Sequence, residues 1–327
     1  MTTLTRRQLL KPLAALGPAM MLGTPVWAQS AWPNRPIKMV VPFPPGGSSD
    51  GLGRLVADKL AKQLDANFIV ENKPGGTTQI GTELVAHAPP DGNTLLLAAS
   101  LAFTQLPVLR SKLPFTIDDF EIAGGISAYL PVMAVRKGLP IKDMKQFIAY
   151  AKEHPGKLSF GSAGEASAGH VYGLTLARDT GIKVLHVPFR GSAAAVTALL
   201  AGDIDFIIDG AITPMVKADK VQPLAVLYSR RHPELPQVPT IKEAGYNVTS
   251  PTSSGWSLLA PKGTPAPVMA RLSDELQKLL RQSDVAEALA RANSVPDWQT
   301  PTEYRQNLRD DQKMYGELLP SLGITTN

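Results

Sequence analysis

One unit recurs along this chain and limits what it can fold into: a short β-branched apolar run, a loop of small residues, then an amphipathic helix. Residues 37–41 are such a run, and Pro44-Pro45-Gly46-Gly47-Ser48-Ser49-Asp50 follows closely. Leu52, Leu55, Val56, Leu60 and Leu64 then recur at helical spacing. Residues 68–70 form a second run, closed by Glu71-Asn72-Lys73-Pro74-Gly75-Gly76, and a helix is expected over 79–88 before a third buried strand at 94–99. The pattern returns at 158–160, Gly161-Ser162-Ala163-Gly164 and a helix over 168–179, and again through 184–187, 192–201 and 204–208. Strand–helix alternation of this kind predicts parallel α/β sheets. A helical tail follows over 266–280, 285–291 and 302–318.

The loops between strand and helix are where chemistry is expected. Glycine lets a backbone approach a ligand closely, and a helix start offers unpaired N–H groups in a positive field, which suits an anion. The 44–50 loop is not a phosphate-binding P-loop, because Leu52 and Gly53 stand where Lys and Ser/Thr are needed. The 161–164 loop is not a nucleophile elbow, because Phe160 stands where the first glycine is needed. Gly75-Gly76-Thr77-Thr78-Gln79 is a third loop of the same grammar. Three such loops, split between the two halves, predict a cleft lined by helix N-termini. His87, His154, His170, His186 and His232 form no metal-ligand pair at helical spacing, so no metal site and no cofactor are expected.

Composition narrows the class further. The 327 residues include no cysteine, which excludes disulfides, thiolate metal sites and cysteine nucleophiles. Thr5-Arg6-Arg7-Gln8-Leu9-Leu10-Lys11 is a twin-arginine pattern, followed by a weakly apolar stretch broken by Pro12, Pro18 and Pro25. Val26-Trp27-Ala28 puts a small residue at the expected cleavage point, so residues 1–28 read as a Tat-type export signal cleaved after Ala28. The formal charge of +5 then loses Arg6, Arg7 and Lys11 and falls to +2. A nearly neutral chain without a Lys/Arg block lacks the footprint of a nucleic-acid binder.

Trp32-Pro33-Asn34-Arg35-Pro36-Ile37 and Val40-Val41-Pro42-Phe43-Pro44-Pro45-Gly46-Gly47-Ser48-Ser49-Asp50 resemble the opening of the Bordetella uptake gene (Bug) family. Those proteins are periplasmic solute receptors of tripartite tricarboxylate transporters. The resemblance continues in Val70-Glu71-Asn72-Lys73-Pro74-Gly75, Ala88-Pro89-Pro90-Asp91-Gly92-Asn93-Thr94-Leu95, Phe160-Gly161-Ser162-Ala163-Gly164 and His186-Val187-Pro188-Phe189-Arg190-Gly191-Ser192. Leu235-Pro236-Gln237-Val238-Pro239-Thr240 and Ala260-Pro261-Lys262-Gly263-Thr264-Pro265 extend it over essentially the whole mature chain.

The resemblance implies a two-lobed periplasmic binding protein of type II-like α/β architecture, each lobe a mixed, mostly parallel sheet flanked by helices, with a cleft between. Lobe one is expected over 29–126 plus 256–327 and lobe two over 127–255. The implied activity is capture of a small carboxylate and its delivery to integral-membrane transporter subunits, by a periplasmic monomer that is not an enzyme. The loops matching Phe43, Pro45, Gly46, Gly47, Ser48, Ser49 and Asp50, and Ser162, Ala163, Gly164 and Ser167, would hold the carboxylate. Thr77, Thr78 and Gln79 are bulkier than the glycine-rich sequence of many relatives. Ser100, Tyr129, His170 and Asp209 complete the expected set, with Phe43 and Tyr129 as apolar walls and Asp209 at the C-terminal end of its strand, where ligands of open α/β sheets gather. Two alternatives share these residues: a sensor presenting its ligand to a signalling partner, and a hydrolase using Ser162 or Ser48.

Overall fold

The structure is a computed structural model that describes residues 32–110, 112–165, 167–251 and 255–324. The export signal lies outside the described residues. Residues from Pro33 onward form one compact unit holding two sheets. No helix among the described residues is long and apolar enough to cross a membrane.

The first sheet has six strands. β1 (Ile37–Val41) leads through α1 (Ser48–Leu64) to β2 (Phe68–Asn72), and α2 (Gln79–Ala86) leads to β3 (Thr94–Ala99). Two short helices, α3 (Leu101–Thr104) and α4 (Leu106–Leu109), precede the long β4 (Phe120–Ala128). The chain then builds a second sheet from β5 (Val132–Arg136), α5 (Met144–Glu153), β6 (Ser159–Ser162), α6 (Ala168–Thr180), β7 (Leu185–Pro188), α7 (Ser192–Ala201), β8 (Phe206–Asp209), α8 (Thr213–Lys217) and β9 (Val221–Val226). It returns to the first with β10 (Trp256–Pro261), α9 (Ala266–Leu279), α10 (Ser283–Arg291), β11 (Val295–Gln299) and α11 (Pro301–Ser321). The strand orders are β11-β4-β10-β3-β1-β2 and β7-β6-β8-β5-β9.

Both sheets are mixed, as expected: β1 to β4 run one way in the first and β6 to β9 one way in the second, with β10, β11 and β5 running against them. In the first, β1 pairs in parallel with β2 and β3, while β10 runs antiparallel to β3 and β4, and β11 antiparallel to β4. In the second, β6 is parallel to β7 and β8, whereas β5 is antiparallel to β8 and β9. The cause is topological. Helical crossovers return a strand in the same direction, but β5 and β10 enter their sheets by the passages from the other sheet, β4 to β5 and β9 to β10, with no crossover helix to align them, and β11 then follows β10 through α9 and α10. β11 was not anticipated, because Pro296 and polar Asp297 and Gln299 break its apolar pattern.

Strand parity explains how the second sheet is covered on both faces. Met133, Val135, Phe206 and Ile208 pack with Phe147, Phe160, Tyr172 and Leu176. Their neighbours Val132, Ala134 and Ile207 point the other way, against Ala195, Leu199 and Val226. In the first sheet, Val40, Leu96, Ile122 and Leu259 pack with Phe103, Phe115, Phe120, Tyr304 and Leu308. The Phe103, Phe115 and Phe120 rings meet edge to face, the arrangement their quadrupoles favour.

Helix ends follow local chemistry. Asp143 caps α5 by accepting from the Gln146 N–H at 2.8 Å. Thr300 and Glu303 form a capping box at the start of α11, with Pro301 at the first helical position. Gly173 lets α6 lie directly on β6, since a Cβ there would overlap the Phe160 ring. Tyr315, Leu318 and Leu319 of α11 pack with Val171 of α6, so the C-terminal helix touches elements of both sheets.

Candidate functional site

A cavity of about 260 Å³ opens where the two sheets face each other. Phe43, Ser100, Gln105 and Trp256 line it from the first sheet, and Tyr129, Ala168 and Tyr172 from the second. Ser294, Asp311 and Tyr315 come from the C-terminal segment. Phe43 and Trp256 meet edge to face at 5.4 Å and form an aromatic wall. Among the described residues lining the cavity there is no Lys or Arg. Ala168 is the first residue of α6, so one helix N-terminus faces this space. A larger cavity of about 450 Å³ is lined by Thr213, Lys217, His232, Glu234 and Asn293, but Lys217 and Glu234 pair with each other there at 2.6 Å.

Of the residues expected from sequence, Phe43, Ser100 and Tyr129 line the central cavity. Pro45, Gly46 and Gly47 form an exposed loop ahead of α1, whose first residue Ser48 is also exposed, with Ser49 half-buried. That loop is tied down by Asp50, whose buried carboxylate accepts from the Gly46 N–H (2.9 Å), Arg54 Nε (3.0 Å) and Asn72 Nδ2 (2.9 Å). The Gly46 N–H, then Arg54 and Asn72, hold the Asp50 carboxyl down at about 2. Asn72 also donates to the Phe43 carbonyl at 3.2 Å, which links the same latch to the cavity wall. Asp50 is thus occupied in shaping the loop.

Ser162, Ala163, Gly164 and Ser167 lie at the junction of β6 and α6. The Ser167 hydroxyl caps α6, accepting from the His170 N–H at 3.4 Å. Ser162 is fully buried, with Oγ 2.7 Å from His186 Nε2 and 3.0 Å from the Gly164 carbonyl. The His170 and His186 rings stack at 3.9 Å, and their Nδ1 atoms lie 3.3 and 3.6 Å from the Glu165 carboxylate. Burial lowers the pKa of both imidazoles; the neighbouring ring adds to this for His186, and Glu165 opposes it. Ser162, His186 and Glu165 stand in the order of a serine–histidine–acid relay, a contact the sequence did not reveal. A nucleophile needs an open approach, and Ser162 has no exposed surface.

Thr77 and Thr78 both adopt positive φ (55° and 77°) at the entry to α2, and Gln79 accepts from Arg110. None of the three lines the central cavity. At the end of β8, Asp209 accepts from the Ala211 N–H (2.9 Å), Ser192 Oγ (2.7 Å) and the Tyr129 phenol. Burial pushes the Asp209 carboxyl up and the Tyr129 phenol up. Tyr129 also accepts from the Gly210 N–H at 3.1 Å, so this pair braces the linker between β4 and β5.

Among the polar and aromatic lining residues, sequence reasoning missed Thr104, Gln105, Tyr172, Trp256, Ser294, Asp311 and Tyr315. One signal was available: Tyr304, Leu308, Asp311, Tyr315 and Leu318 share a buried helix face, and an acid in such a stripe must be met by polar groups inside the fold.

Comparison with known proteins matches residues 52–324 to the tripartite tricarboxylate transporter family receptor. A Pseudomonas sp. (strain P51) relative, the UPF0065 protein in the tcbD–tcbE intergenic region, is 39% identical over 270 residues, covering 79% of this chain and 78% of its own. A solved TctC solute-binding protein from Polaromonas, without ligand, superposes with a TM-score of 0.79 at 29% identity, covering 89% of this chain and 99% of its own. An R. palustris protein solved with adipate gives a TM-score of 0.72 at 28% identity, covering 90% and 100%. Two mixed sheets facing a cavity are the periplasmic binding protein architecture those structures share. The chain therefore belongs to the tripartite tricarboxylate transporter receptor family, whose members are solute-binding receptors rather than enzymes.

Proposed function

We propose that the protein captures a small carboxylate between its two sheets and delivers it to the integral-membrane subunits of a tripartite tricarboxylate-type transporter. The observation that carries this reading is the cavity itself: enclosed by both sheets, walled by aromatics and met by the N-terminus of α6. Family membership and the adipate complex of the R. palustris relative support a carboxylate. A binding cleft between lobes closes by hinge motion. We assign lobe one to 29–126 plus 256–327 and lobe two to 127–255, with the passage at 129–131 as one hinge strand. β4 of the first sheet ends at Ala128, just before that passage. The twin-arginine segment and Ala28 point to export through the Tat route and cleavage after that residue.

Within the cleft, the ligand carboxylate would sit between the Gly46–Ser49 and Ser162–Ser167 loops, held by N–H and hydroxyl donors rather than an arginine. Phe43 and Ala168, which neighbour those loops in sequence, line the cavity, and none of the described lining residues is Lys or Arg. A thermal-shift screen of the mature protein against carboxylates tests the reading. A ligand at about 100 times its Kd adds roughly 2.7 kcal/mol of stability. Gly47→Leu should abolish that shift without unfolding the protein, since a Cβ at Gly47 meets only the Pro44 carbonyl, at 3.8 Å. Arg190→Gln should leave it unchanged. Loss of binding in Arg190→Gln with retention in Gly47→Leu overturns the assignment of the carboxylate subsite.

A further inference from the structure

The cavity between the sheets is walled by aromatic rings to a degree the composition does not suggest. Phe43, Tyr129, Tyr172, Trp256 and Tyr315 all line it, in a chain that is 6% aromatic. They come from five separate segments, so no single local stripe brings them together. Phe43 and Trp256 meet edge to face at 5.4 Å, an arrangement that a third ring can extend. Polar groups on the same walls are engaged within the fold. Thr104 Oγ1 donates to the Ser100 carbonyl at 3.1 Å, and Ser100 Oγ accepts from the Gly255 N–H at 3.3 Å. The Tyr315 phenol is hydrogen-bonded to Gln105, and Asp311 has its own partner within the protein.

Tyr172 is the exception. It lies on α6 one turn, about 6 Å, beyond Ala168, and both residues line the cavity. It is 4% exposed, and its hydroxyl has no hydrogen-bond partner. Native proteins rarely leave a buried hydroxyl unsatisfied. Burial first, then the neighbouring phenols and Asp311, push the Tyr172 phenol well above its ordinary pKa, so it stays protonated at neutral pH. A guest that reaches this hydroxyl makes a hydrogen bond without breaking one, and Tyr172 can serve it as donor or acceptor.

Resting on the carboxylate-receptor reading above, we propose that the ligand is an aromatic monocarboxylate carrying a ring hydroxyl, and that the Tyr172 hydroxyl meets that group. Its carboxylate lies at the start of α6, its ring among Phe43, Trp256 and Tyr315, and its hydroxyl one turn deeper at Tyr172. One face of α6 thus serves both ends of the ligand. A flexible aliphatic chain of the same reach loses more conformational freedom on binding and gains no ring-to-ring contact. A second carboxylate in place of the hydroxyl would be stripped of water with no Lys or Arg among the described lining residues to meet it. Tyr172 therefore separates hydroxylated from plain aromatic acids, and the cavity selects against dicarboxylates.

Calorimetry on the mature protein with six probes tests this: benzoate, 3-hydroxybenzoate, 4-hydroxybenzoate, terephthalate, 6-hydroxyhexanoate and adipate. At least one hydroxybenzoate should bind tenfold or more tighter than terephthalate and both aliphatic probes, and several-fold tighter than benzoate. Tyr172→Phe removes an atom that holds nothing in the free protein, so it should fold normally. It should bring that hydroxybenzoate down to the level of benzoate and leave benzoate itself unchanged, a split that a general loss of structure does not produce. Wild-type protein that binds benzoate, terephthalate or either aliphatic probe as tightly as the better hydroxybenzoate overturns the proposal and leaves the carboxylate reading standing. A hydroxybenzoate preference that survives in Tyr172→Phe does the same. If none of the six binds but another carboxylate of the wider panel does, the proposal falls alone; if no carboxylate binds, both readings fall. The wild-type ranking decides the matter even where Tyr172→Phe does not fold.

Discussion

Replacing Asp50 by Asn keeps the shape of the side chain and removes its charge, and the structure sets the size of the effect. The carboxylate accepts from the Gly46 N–H, Arg54 and Asn72, and its pKa falls from the ordinary 3.8 to about 2. At about 1.36 kcal/mol per tenfold change in proton affinity, that fall corresponds to about 2.4 kcal/mol of folding stability. Arg54 is 55% exposed, so its share is screened by solvent, and an effect of about 1–2 kcal/mol is the reasonable expectation. The folded-state pKa is depressed, so the contribution is fully present above pH 3.8 and disappears as pH falls through about 2. Urea denaturation of wild type and Asp50→Asn at a series of pH values measures it directly. The two proteins should differ at pH 7 and converge as pH approaches 2. A difference that persists unchanged at pH 2 would show that packing, not the carboxylate, holds the loop.

Other expectations are simpler. Gly173→Ala should destabilise the protein by about 1–3 kcal/mol in urea, because its new methyl overlaps the fully buried Phe160 ring. Thr300→Ala, which removes the side-chain half of the α11 capping box, should cost about 1 kcal/mol by the same assay. Changing Arg6 and Arg7 together to Lys should retain the full-length protein in the cytoplasm on fractionation; unchanged export would indicate the general secretory route.

How much of this was legible in the sequence depended on whether local chemistry or tertiary context decided the outcome. β1, α1, β3 and α6 follow from apolar spacing and capping residues, and their positions could be read within a few residues. β11 could not, because its strand identity comes from pairing with β4 rather than from its own residues Pro296, Asp297 and Gln299. Which strands run against the rest was also hidden, since it depends on where the chain passes between sheets. At the site, the small-residue loops announced themselves by composition. Tyr172 and Tyr315 did not, because on a helical stripe an aromatic facing a cavity and one facing a core look alike. The Ser162–His186 contact joins residues 24 apart, and it exists because β6 and β7 are neighbours in parallel register.

One helix ties these observations to mechanics. α11 is seated at one end by Tyr304 and Leu308 in the core of the six-stranded sheet, and at the other by Tyr315 and Leu318 against Val171 of α6. From residue 304 to 318 it rises about 21 Å, so it forms a strut along the cavity wall that Asp311 and Tyr315 line. Swinging the strut by ~10° displaces its far end by ~4 Å at that length. A packed contact at Val171 cannot absorb such a movement, so on the proposed hinge reading opening slides that end of the helix or bends it. The bend has a natural place, because Pro320 removes a backbone donor within the last turn. The carboxyl-terminal end of the chain thereby becomes a gauge of cavity width, and a fluorophore attached there would register ligand capture without touching the ligand.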